Sequence, residues 1–155
     1  MENAIRQIRS VADYQFGKGV GAALFPGNVE IAYSKATGRI RYISLNGDRL
    51  ATLRPTDGML SLSIAAARVV AEKLALVVHC FVTVRQDVAK YIAEGGDVFA
   101  VHVVKADEEI RAKDEVIALS EKDEVLAVGR AVLSGAEMTA FKTGVAVKVR
   151  HGSVS

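Results

Sequence analysis

The chain has 155 residues, enough for one ordinary domain or two small ones. It is 50% hydrophobic and 25% charged, a globular balance that excludes a disordered chain, and no apolar run approaches the roughly 20 residues that a membrane-spanning helix needs. The formal net charge is only +2, but it is unevenly spread: residues 1–75 hold ten Lys/Arg against six Asp/Glu, and residues 76–155 hold ten against twelve. Most of the second set of acids lie between Asp107 and Glu124. After Glu137 there are none, while Lys142, Lys148, Arg150 and His151 remain. A weak global charge thus hides local basic surfaces, and local surfaces are what steer polyanions.

The first stretch, "NAIRQIRSVADYQ", places Ile5, Ile8, Val11 and Ala12 at helical spacing with Arg6 and Arg9 off that face, so an amphipathic helix is expected. Its interspersed charges do not match a secretory signal, and the expected location is the cytoplasm. "FGKGVGAALFPGN" reads as a glycine-rich loop that lets the backbone approach something closely, and a tight turn against the chain's own core is the favoured form of that approach. Residues 29–34, 39–45 and 49–54 have strand composition, separated by "ATG" and "NGD". Asn-Gly signals a tight hairpin turn, so a three-stranded antiparallel meander is expected. "MLSLSIAAARVVAEKLA" starts extended and becomes helical, with Ser63 as N-cap. The first half therefore reads as a small α+β domain over residues 1–75: helix, antiparallel meander, helix.

From Leu76 the texture changes. "LVVHCFVTV" reads as a buried strand, and "RQDVAKYIAEGG" as a short helix with Val88, Tyr91 and Ile92 inward, stopped by Gly95-Gly96. "DVFAVHVVKAD" reads as a second strand, "DEVIAL" as a third, "SEKDE" as a charged hairpin tip and "EVLAVGRAVL" as a fourth. Ser134 and Glu137 have capping-box spacing. "TGVAVKVRHG" closes as a fifth strand, with Val145, Val147 and Val149 on one face and Ala146, Lys148 and Arg150 on the other. Five short strands and two short helices point to a small, nearly closed β pseudo-barrel over residues 76–155.

The lone cysteine, Cys80, lies in an apolar run and reads as a buried thiol. His79 beside it would point to the opposite face of a strand, so the two cannot form a dyad. His79, His102 and His151 lack metal-ligand spacing, and no metal or cofactor is expected. Asp13, Asp57 and Asp97 sit among glycines, where N-cap or turn roles fit them. No paired acid and nucleophile or phosphate loop supports an enzyme.

The string "GGDVFAVHVVKADEEIRAKDEVIALSEKDEVLAVGRAVLSGAEMTAFKTGVAVKVRHG" resembles a PUA domain, the RNA-binding module named after pseudouridine synthases and archaeosine transglycosylases. The preceding "VADYQFGKGVGAALFP" and "TGRIRYISLNGDRLATLRPTDGMLSLSI" resemble the small domain before the PUA domain in archaeal tRNA-guanine transglycosylases. Those enzymes carry their chemistry on a large (β/α) barrel with an aspartate nucleophile and a structural zinc site. This sequence has neither the barrel nor enough cysteines for the zinc. The resemblance therefore implies tRNA recognition rather than base exchange, serving a separately encoded catalytic subunit. A ribosome- or translation-associated RNA-binding factor is the alternative. In the family the PUA domain grips the acceptor stem and single-stranded 3′ end with its first helix, the following glycine turn, the next strand and the last strand. That implies Arg85, Lys90, Gly95, Gly96, Val98, Phe99 and Ala100, with Lys148 and Arg150 closing the groove. From the residues alone, the glycine pair also fits an ordinary helix stop, and the two cations a solvated strand edge. The acidic block then reads as a solvated face that discourages wrong docking.

Overall fold

The computed structural model describes residues 2–154, which divide into two compact units, up to Val78 and from His79 onward. The first unit opens with α1 (Glu2–Phe16), which buries Ala4, Ile5, Ile8, Ala12 and Phe16 along one stripe. The i, i+3/i+4 spacing of these side chains is why the segment is helical: no other local conformation puts all five on one face. The stretch read as a glycine loop instead contains a short helix, α2 (Val20–Leu24). Five residues are too few for a periodic signal to emerge. The close approach expected of its glycines is made to the chain itself: a Cβ at Gly21 would collide with the backbone of Arg9. Asp13 on α1 fixes the crossing by accepting the Gly21 amide at 2.7 Å.

The meander has four strands among the described residues rather than three: β1 (Glu30–Tyr33), β2 (Ile40–Leu45), β3 (Asp48–Leu53) and β4 (Leu60–Leu62), antiparallel in that order. The β2–β3 turn is Asn46-Gly47, both with positive φ (52° and 85°), as the Asn-Gly signal requires. β4 is the extended start of the third helical segment; it pairs with β3 through Ala51 and Leu62. It is also clamped to α1, because Gln15 both donates to the Leu60 carbonyl (2.9 Å) and accepts from its amide (2.7 Å). α3 (Ile64–Lys73) begins at Ser63, whose hydroxyl accepts from the Ala66 amide at 3.1 Å. Ile8, Val20, Phe25, Ile43, Leu60, Leu62 and Val70 form the fully buried core.

The second unit is mostly β. Its strands are β5 (Phe81–Val84), β6 (Val98–Phe99), β7 (Val103–Ala106), β8 (Glu115–Leu119), β9 (Val125–Ala131) and β10 (Val145–Gly152). They lie in the order β6-β10-β9-β8-β5-β7 and form a nearly closed barrel. β5 and β8 run parallel; the other pairings are antiparallel. α4 (Ala89–Ala93), entered through a 3-10 turn at Gln86–Val88, and α5 (Gly135–Ala140) complete the unit. The α5 start is the expected capping box, with reciprocal bonds between Ser134 and Glu137.

Three details correct the sequence reading. The apolar run from Leu76 is strand only from Phe81 onward. The stretch read as one strand from Asp97 breaks into β6, a 3-10 turn (Ala100–His102) and β7, so six strands replace five among the described residues. Hydrophobicity signals burial, and both segments contain many Val and Phe, but burial alone does not distinguish strand from a tight turn packed on the core. Lastly, Tyr91 points outward rather than into the core; α4 buries Ala89, Ile92 and Ala93 instead. No described helix is long and apolar enough to cross a membrane.

Candidate nucleic-acid interface

The sequence-predicted residues of the second unit meet where α4 ends beside β6 and β10. β10 pairs with β6 through Val147 and Val98, and through Val145 and Phe99. Its far end meets the end of α4. The Val154 amide bonds the Ala93 carbonyl at 2.9 Å, and a Cβ at Gly152 would strike that same carbonyl. Lys90, Gly95, Gly96, Phe99 and Lys148 are all carried by these elements.

Each plays a different physical part. Gly95 follows α4 with φ 106°, a conformation in which an L side chain is strained, and faces open space where a Cβ would be. Gly96 does not face open space: the Tyr91 ring lies directly against its Cα, and an added Cβ would collide with that ring. The glycine pair thus ends the helix and seats an aromatic ring on the surface. Tyr91 is 52% exposed. Exposed aromatic faces are what unstacked bases lie on. Phe99 is 38% exposed, edge-on to His102 at 6.2 Å between centroids. Val98 and Ala100 are buried and can offer a ligand only backbone. The Ala100 amide is already bonded to the Gly144 carbonyl at 2.9 Å. Arg85 stands at the start of the 3-10 turn before α4, and its guanidinium donates to Asp87 at 2.6 Å.

Lys148 and Arg150 differ in exposure and in partner. β10 bulges between Val149 and His151, which breaks the simple alternation expected of it. Ala146 is fully buried, contrary to the expected outward face. Asp97 helps hold this register by accepting the Val149 amide at 2.9 Å, and it also meets Lys148 Nζ at 3.2 Å. The Lys148 side chain remains 68% exposed. Arg150 instead reaches across to Glu115 on β8, whose carboxylate is entirely buried. It is therefore a structural cation first. Sequence reasoning missed Tyr91, which it placed inward, and Arg130, which is exposed and lies directly opposite Lys148 across the β9–β10 ladder. A strand residue flanked by "AVG" and "AVL" gives no sign of its face until the register is known.

The acidic block is partly spent on the fold. Asp107 accepts the Phe81 amide at 2.8 Å, Asp114 the Arg111 amide at 2.8 Å, and Glu121 the Gln86 amide at 2.8 Å. Cys80 is buried, and desolvation, reinforced by the nearby Glu115, pushes its thiol far above the ordinary range. Such a thiol is a packing group, not a nucleophile. Among the described residues no His/Cys/Asp/Glu cluster could hold a metal ion.

Residues 6–76 match the patch-forming domain C2 of tRNA-guanine transglycosylase, and residues 81–153 match the PUA domain. The chain is 46% identical over 97% of its length to the tRNA-guanine(15) transglycosylase of Pyrococcus furiosus, of which it covers 25%. It spans about a quarter of the length of the curated relatives it matches. Among solved structures, a hypothetical protein of Pyrococcus horikoshii superposes with a TM-score of 0.78 at 25% identity, covering 100% of this chain and 93% of that one. A conserved PUA-domain protein of Thermoplasma acidophilum shares the fold, with a TM-score of 0.69 at 23% identity over 99% and 91% of the two chains. The part of the transglycosylases to which the chain corresponds is their C-terminal region, not the catalytic barrel. The chain thus matches, in order, a C2 domain of the tRNA-guanine transglycosylase type and a PUA domain.

Proposed function

We propose that the chain is an RNA-binding accessory protein of tRNA modification that holds the acceptor stem and single-stranded 3′ end of tRNA and performs no chemistry itself. The observation that carries this reading is 46% identity, across 97% of the chain and both domains in order, to an enzyme named for its action on tRNA. The catalytic barrel would come from a separate subunit, in the cytoplasm where tRNA resides.

The surface beside β10 supports the reading on physical grounds. A single-stranded RNA end needs cations for its phosphates and flat faces for its bases. Lys148, Lys90 and Arg130 supply exposed charge, while Tyr91 and Phe99 supply exposed rings. Gly95 leaves the backbone bare beside them. Lys148 and Asp97 are an exposed pair, and such a pair stabilises the fold by only about 0–1 kcal/mol, so a phosphate can take the lysine at little cost.

The test compares intact tRNA with tRNA trimmed of its 3′ tail, in fluorescence anisotropy titrations of the whole chain. Preference for the intact tail is expected. Equal affinity removes the 3′-end assignment and favours a module that holds duplex or another RNA, such as a ribosomal one. Pull-down from the source cell should bring tRNA and a transglycosylase barrel subunit together; tRNA without that subunit contradicts the two-subunit arrangement.

A further inference from the structure

The first unit contains a cleft of about 900 Å³ between the start of α1 and two loops of the meander, the β1–β2 turn and the β3–β4 turn. Two kinds of side chain dominate it. Tyr33, Ile40 and Pro55 give it flat and apolar wall; Arg39, Arg41 and Arg54 give it cations. Among the described residues the one carboxylate in the lining, Asp57, is already engaged, salt-bridged to Arg54 at 3.0 Å and bonded to the Met59 amide at 2.9 Å. Arg39 and Arg41 have no carboxylate partner among the described residues, although Arg41 also lies near the Tyr42 ring at 5.5 Å. In the second unit, by contrast, Arg85, Lys148 and Arg150 each have an acid in place.

A cleft whose guanidinium groups lack counter-charges is complementary to an anion, and a planar fork suits phosphate oxygens. The rest of the wall excludes a bare phosphate as the best fit. Tyr33 is half exposed and offers a ring face for stacking, and Ser34, Thr37 and Asn3 offer hydroxyl and amide groups for base edges or 2′-hydroxyls. The volume is far larger than one phosphate and falls in the range of sites that enclose a whole organic ligand. We infer that this cleft binds a short single-stranded RNA segment, with a base against Tyr33 and phosphates on Arg39 and Arg41. It would be a second RNA contact, on the C2 domain rather than the PUA domain. The inference rests on the proposal that the chain binds RNA.

The test is a titration of the 15N-labelled whole chain with hexaadenylate, followed by amide shifts and by anisotropy. Shifts at Thr37, Gly38, Arg39 and Gly58 are expected. In Arg39→Ala/Arg41→Ala the cleft shifts should vanish, and the slope of log affinity against log salt should flatten by roughly 1.4, about 0.7 for each phosphate released. Tyr33→Ala should weaken hexaadenylate binding about tenfold. Arg39 is exposed, so the single variant Arg39→Ala serves if the double variant melts early. Hexaadenylate should also bind more tightly than linear polyphosphate of the same charge; equal binding would overturn the nucleotide assignment. Shifts confined to the PUA domain, or tRNA binding without hexaadenylate binding, would overturn the cleft while leaving the PUA reading intact. No binding of either RNA would remove both.

Discussion

Arg150 on β10 and Glu115 on β8 form a two-pronged ion pair at 2.9 and 2.5 Å, spanning β9, with the carboxylate wholly buried and the guanidinium 32% exposed. The pair ties the closing strand to the centre of the PUA barrel. Removing the guanidinium takes from a buried carboxylate its two-pronged partner, so Arg150→Ala should destabilise the chain by about 3–5 kcal/mol. Thermal melts check this. Replacing both residues with methionine should recover most of the loss, because well-packed apolar pairs are often as stable as buried ion pairs. An Arg150→Ala chain that melts like the parent would contradict this structural role for Arg150.

Lys148 should behave oppositely. Lys148→Ala leaves a partly exposed Asp97 that keeps its bond to the Val149 amide, so stability should change by less than about 0.5 kcal/mol. If Lys148 meets a phosphate, tRNA affinity should fall across all salt concentrations and the log–log salt slope should flatten by about one. Unchanged binding by a folded Lys148→Ala chain would make this residue a solvated strand edge.

The Tyr91 ring and Gly96 should act as a unit. Gly96→Ala drives a Cβ into the ring and must displace it. If the seated ring stacks on a base, Tyr91→Ala should cost about 1–3 kcal/mol of RNA affinity, and Gly96→Ala should cost a similar share through the displaced ring. The double variant should then be no worse than either single one, which a double-mutant cycle on anisotropy-derived affinities reads directly. Additive losses would separate the two residues.

Much of this architecture was legible in the sequence because it is written locally. The α1 stripe, the Asn46-Gly47 turn, the Ser63 cap and the Ser134–Glu137 capping box each need only a few neighbouring residues to be recognised, and each is present. What was not legible depends on partners distant in the chain. The bulge in β10 lies next to Val149, whose amide is held by Asp97, 52 residues away, and what distinguishes Arg150 from Lys148 is Glu115, 35 residues away on another strand. Glu115 looks like one more member of an acidic block until the barrel closes and buries it. Tyr91 fits a helical stripe equally well facing in or out, and the glycine beneath it decides the matter.

Cys80 gives a prediction about pH. Its thiol is uncharged in the fold and held far above its ordinary value near 9 by burial, with nearby Glu115 adding to the effect. The unfolded thiol ionises near that ordinary value, so this group's contribution to stability is complete below about pH 8.5 and is lost as the pH rises further. Iodoacetamide at pH 8 should leave the native chain unmodified and label it once denatured, as intact mass spectrometry would show. Rapid labelling of the native chain would mean that the thiol is reached without unfolding.

RNA binding itself is measured most directly by titrating labelled tRNA with the whole chain at a series of salt concentrations. Lysine and arginine contacts to phosphate release counterions, so affinity should fall steeply and linearly on a log–log plot, by about 0.7–0.9 in slope for each phosphate held. Several contacts, from Lys148 and its neighbours on the PUA domain and from Arg39 and Arg41 on the C2 domain, should give a slope of several units. Affinity that does not change with salt, or no binding at any salt, would contradict the RNA-binding role.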